Sequence, residues 1–134
     1  MIQEGQVVLF TFPQTDQATG KLRPSLVLVI RSLPGHHDDW LVCMISTQIS
    51  QELPEIDEVI RDEDPDFAQT GLKTTSLLRV SRLAVVSTNI LQGSIGSISE
   101  SRLDGIRARL ADWIDSSTEH VKEKGPEQAS QGEK

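Results

Sequence analysis

A mainly β fold with one helix at its C-terminal end is predicted by three features of this 134-residue sequence. Short apolar, β-favouring runs recur along the first two thirds of the chain. Clusters of Pro, Gly, Asp, Ser and Thr separate them as turns. Only the stretch containing Leu103, Ile106, Leu110, Trp113 and Ile114 repeats at helical spacing, which puts those residues on one stripe. Six or so strands of this length indicate a small barrel or a sandwich, with the helix docked by its stripe against the sheet.

The first strand is expected at residues 7–12, where Val7, Val8, Leu9, Phe10, Thr11 and Phe12 follow Gly5 and Pro13 ends the pairing. Residues 14–21 are polar, carry Asp16, Thr19 and Gly20, and read as an exposed hairpin loop. Residues 26–30 are continuously apolar, as a central strand covered on both faces would be. Pro34, Gly35 and Asp38 mark the next turn, and His36 and His37 beside Asp38 and Asp39 belong to that solvated loop. Residues 40–49 begin as an apolar strand and finish on a polar tip, Ser46, Thr47 and Gln48. Residues 55–60 form a weaker strand whose charges suit a sheet edge. The acidic stretch 61–71 is a loop, and residues 76–86 and 91–98 complete the sheet. Ser97 and Glu100 have capping-box spacing for the start of the helix. Gly105 weakens that helix by about 1 kcal/mol relative to Ala, so packing must hold it.

Length and composition predict one domain over residues 1–115. Residues 116–134 are rich in Glu, Lys, Gln, Ser and Gly, and are expected to form a disordered polar tail. No apolar run is long enough to span a bilayer and none reads as an export signal, so a cytoplasmic location is expected. Cys43 is the single cysteine and lies in an apolar run, which makes it a core side chain; disulfide and zinc chemistry lack the ligands. No phosphate-binding glycine loop, metal-spaced histidine set or nucleophile elbow is present in the sequence. The 13 basic and 20 acidic residues give a net charge of −7, and the part before Asp115 keeps −5 of it. That balance weighs against nucleic-acid binding, whose affinity comes largely from neutralising phosphates.

Three blocks nevertheless resemble one family. Gly5, Val7, Val8, Phe12 and Pro13, then a polar loop, then Lys21, Arg23, Pro24 and the run Ser25 to Leu28 are similar to the N-terminal signature of the MazF/PemK toxins. Ile45, Ser46, Thr47 and Gln48 resemble the family's apolar strand ending in a hydroxyl residue shortly before Gln. Ser76, Leu77, Leu78, Arg79 and Val80 resemble its last long strand. With the terminal helix, the resemblance covers about residues 5–114, and the Arg23-Pro24 block is its most specific part.

The resemblance implies a small SH3-like barrel of the MazF/PemK type. It implies a homodimeric endoribonuclease toxin that cuts single-stranded RNA, such as mRNA, without a metal or other cofactor, and that a cognate antitoxin holds in check. Arg23 would then stabilise the pentacoordinate phosphorane, since a guanidinium offers a planar fork of donors. Ser46 or Thr47 would orient a phosphate oxygen; alternation along a strand sends the two to opposite faces, so one of them is expected to share a site with Arg23, and spacing to Gln48 favours Ser46. Thr15, Lys21 and Gln48 would contact RNA. Leu22 stands where some members carry a His, and Val85, Val86 and Ser87 stand where many carry an acid, so no general acid or base is assigned. The alternative is a catalytically degenerate barrel that binds a basic protein or peptide through the acidic segment 52–66.

Overall fold

Leu26, Val27 and Leu28 are all fully buried, as a strand covered on both faces must be, and the sheet is built outwards from them. The computed structural model describes residues 2–11, 22–32, 34–35, 38–87 and 91–131. Its elements are β1 (Gln6–Thr11), β2 (Leu22–Arg31), β3 (Asp39–Ser46), β4 (Glu58–Ile60), β5 (Ser76–Ser87), β6 (Leu91–Ser97) and the helix α1 (Glu100–Gln131). The strands pair antiparallel in the order β4-β5-β3-β2-β1-β6, one sheet curled into a half-barrel. β2 begins earlier than its apolar run, because Arg23 and Pro24 pair with Phe10 and Leu9 of β1.

Side chains alternate between two clusters. Leu26, Leu28, Cys43, Ile45, Leu78 and Val80 meet Leu103, Ile106 and Leu110 of α1 on one face. Val8, Phe10, Val27, Trp40, Val42 and Val86 pack on the other, where the Phe10 and Trp40 rings meet edge to face at 6.4 Å. Cys43 is a core side chain as expected, and burial pushes its thiol up to about 12, which leaves it inert.

Three expectations are corrected. The helix stripe stops contributing to the core at Leu110, and Trp113 and Ile114 are 44% and 56% exposed, because α1 continues past its last core contact. The helix cap is Ser99 rather than Ser97: the Ser99 hydroxyl accepts the Arg102 N–H at 3.2 Å, one turn in. The expected strand at 55–60 shrinks to three residues, since residues 54–56 turn and bring Asp57 inward. Helix α1 runs to Gln131. Among the described residues no helix is long and apolar enough to cross a membrane.

The acidic segment has internal partners. Arg102 donates to Glu58 at 2.6 Å, to Asp64 at 3.0 Å and through its fork to both oxygens of Asp66 at 2.9 and 3.0 Å. Arg109 adds a contact of 2.7 Å to Glu58, and the Ser99 N–H donates to Asp66 at the helix start. The Arg102 guanidinium holds the Asp66 carboxyl at about 2, below its ordinary 3.8. The folded state therefore binds that proton less readily than the unfolded one. Stability from this contact is complete above about pH 4 and is lost as pH falls through about 2. Arg102→Ala should cost about 3 kcal/mol or more in urea unfolding at pH 7. The gap to wild type should narrow as pH falls between those two values.

Candidate functional site

At one end of the half-barrel lies a hollow of about 700 Å³ to which β2, β3 and β5 all contribute. Ser25 of β2 faces Met44 of β3, so two residues further along each strand Arg23 comes level with Ser46. Both line the hollow, with Pro24, Thr47 and Gln48 beside them. The expectation that Ser46 and Thr47 point to opposite faces, leaving only one on the Arg23 side, is corrected. β3 ends at Ser46, and Thr47 sits in a bend that the Gln48 N–H closes by donating to the Ser46 hydroxyl at 2.9 Å. Strand alternation no longer applies there, and both hydroxyl residues reach the same hollow. Thr15 and Lys21 lie outside the described residues, as do His36 and His37.

Two further cations complete the lining. Arg79 enters from β5, opposite Met44, and Lys73 from the segment that precedes that strand. Arg79 lies between the fully buried Leu78 and Val80. One end of its guanidinium donates to Gln51 Oε1 at 2.9 Å, whereas its buried Nε donates to no group among the described residues. A buried donor without an acceptor costs about 1–3 kcal/mol, so packing alone does not account for an arginine at this position. Sequence reasoning quoted Arg79 only as part of a strand; the available signal was a guanidinium within an otherwise apolar run, a placement that is costly unless used.

Among the described residues, Arg23, Lys73 and Arg79 are the charged members of the lining, and none is Asp, Glu, His or Cys. An acidic protein therefore carries a local cationic depression, its wall completed by Leu9, Met44, Leu72 and Ile95. Among the described residues no cluster of His, Cys, Asp or Glu is placed to hold a metal ion. The arrangement can attract and orient a phosphate by charge and by hydrogen bonds from guanidinium, ammonium and hydroxyl groups.

The family described as PemK-like, MazF-like toxins of type II toxin-antitoxin systems matches residues 3–114. The chain belongs to this family. Among solved structures, the fold is similar to that of the Mycobacterium tuberculosis toxin MazF-mt6, with a TM-score of 0.60 and 17% identity over 82% of this chain and 96% of that one. It is also similar to an endoribonuclease in complex with its cognate antitoxin from a Mycobacterial species, with a TM-score of 0.59 and 14% identity over 86% of this chain and 96% of that one. No curated protein sequence matches the chain.

In this MazF-like chain the wall of the hollow is closed by backbone packed on backbone. Gly71 has a φ of +77°, and a Cβ there would collide with the Ile95 carbonyl. A Cβ on Gly96 would collide with the carbonyls of Gln69 and Thr70. The loop carrying Gly71 to Thr74 thus lies flush along the outer strand β6. Gly96→Ala should force the two apart and cost about 2 kcal/mol or more. Thermal unfolding of the variant against wild type measures that loss.

Proposed function

We propose that this toxin-family member is a metal-independent endoribonuclease that cleaves single-stranded RNA. The observation that carries the reading is the convergence of Arg23 with Ser46 and Thr47 on one hollow whose described lining is cationic and free of carboxylates. In the reaction the ribose 2'-oxygen attacks the adjacent phosphorus. A P–O2' bond forms, the P–O5' bond breaks, the 2'-hydroxyl loses its proton, and the departing 5'-oxygen gains one. Negative charge builds on the non-bridging oxygens in between, and guanidinium donors already in place stabilise it without reorganisation.

Arg23 is assigned to those oxygens, with Arg79 as the second guanidinium and Lys73 on a neighbouring phosphate. Ser46 orients the reacting phosphate: its oxygen accepts the Gln48 N–H, which fixes the hydroxyl and leaves its proton to donate. Thr47 and Gln48 contact the flanking nucleotide, and RNA contacts are also assigned to Thr15 and Lys21. The same reading includes a homodimer and a cognate antitoxin that covers the hollow, in line with the endoribonuclease solved with its antitoxin. The competing reading, a binding module for a basic partner, keeps only part of its charge argument. Asp57, Glu58, Asp64 and Asp66 of the acidic segment already accept hydrogen bonds within the chain.

A defined single-stranded RNA pool with mapped cut ends tests the proposal. Wild type should cut in EDTA and leave a 5'-hydroxyl end, and Arg23→Ala should lower the rate by about 10²-fold or more. Ser46→Ala should cost more than Thr47→Ala. An uncut pool, together with unimpaired growth on expression, would refute the ribonuclease reading.

A further inference from the structure

Asp57 is a carboxylate at 2% exposure that lines no part of the hollow, yet its two oxygens tie down the two segments that locate Arg79. Oδ2 accepts the Leu53 N–H at 3.0 Å. Leu53 follows the 3-10 turn Ile49–Gln51, and Gln51 is the residue that receives the Arg79 guanidinium. Oδ1 accepts the Ser81 N–H at 2.9 Å, two residues beyond Arg79.

Ser81 lies where β5 leaves its register. Met44 of β3 faces Arg79, but the next residue, Cys43, faces Leu83, so Val80, Ser81 and Arg82 form a bulge in the strand. A bulge leaves backbone donors out of the ladder and re-aims the side chains around it. Here the carboxylate takes up one such donor and fixes the bulge immediately after Arg79. The same group anchors the turn that carries the guanidinium's side-chain partner.

We propose that Asp57 is a positioning residue: by bridging Leu53 and Ser81 it holds the β5 bulge and the Gln51 turn in the arrangement that presents the Arg79 guanidinium to the substrate phosphate. The inference rests on the ribonuclease reading for its consequence in catalysis, and on geometry alone for the orientation of Arg79. Neutralising Asp57 by Asp57→Asn replaces one acceptor oxygen with a donor NH₂, so one of the two backbone N–H groups loses its partner.

The test uses full-length protein labelled with ¹⁵N-arginine, in which the Nε–H signal of Arg79 is assigned by its loss in Arg79→Lys. Asp57→Asn should move that signal and speed its exchange with water at least tenfold, while the Arg102 signal stays in place. Gln51→Ala, a change at an exposed residue, should shift it in the same direction. On single-stranded RNA, Asp57→Asn should lower kcat about tenfold with little change in KM, and the loss should disappear in an Arg79→Ala background. A role confined to stability would lower Tm and leave the Arg79 signal and the additivity of the two losses untouched. An unmoved Arg79 signal in folded Asp57→Asn, or additive losses, overturns the proposal. If Asp57→Asn does not fold, an unmoved signal in Gln51→Ala overturns it. If wild type cuts no RNA, the ribonuclease reading fails, and the arginine signal still decides whether Asp57 orients Arg79.

Discussion

The register of β2 against β3 is the constraint on which the site depends. With Ser25 opposite Met44, the ends of the two strands bring Arg23 level with Ser46, two residues far apart in the chain. A slip of one residue would move Arg23 to the opposite face. The register is held by what lies behind it: Leu26 and Leu28 in the helix-side cluster, and Val27 beside Phe10 and Trp40 in the other. Burial on both faces is therefore what fixes the place of Arg23 at the hollow.

Charge is partitioned around that geometry. The chain is acidic overall, but carboxylates at Glu58, Asp64 and Asp66 are gathered on Arg102 at the helix start, and Glu4 is engaged by Arg107 and the Ile30 N–H. Among the described residues, the charged members of the lining are all cations. Net charge is a poor guide to nucleic-acid binding in such a protein, because phosphate responds to the field at the site, and nearby paired acids contribute little to it.

Most of the described strands and the docking of the helix through Leu103, Ile106 and Leu110 were legible, since they follow from periodicity. Arg23, Ser46 and Gln48 were legible because they sit in short recognisable blocks. The side on which Thr47 lies was not, because period-two reasoning fails at the first residue past a strand. Arg79 was hidden by the strand around it, and the Arg102 cluster by sequence separations of 36 to 44 residues. The Asp57 clamp depends on a bulge, which no local pattern in residues 79–83 announces. Trp113 and Ile114 continue the helical stripe correctly, but a stripe does not say where the core beneath it ends.

In the proposed ribonuclease an RNA phosphate sits between Arg23, Arg79 and the β3 tip. Titration of the ¹⁵N-arginine-labelled protein with a 2'-O-methylated single-stranded oligoribonucleotide, which can bind but lacks the attacking hydroxyl, tests this most directly. Saturable shifts of the Arg23 and Arg79 Nε signals are expected, with Arg102 unmoved and affinity falling as salt rises. Shifts confined to arginines outside the hollow, or no shift at all, would contradict it.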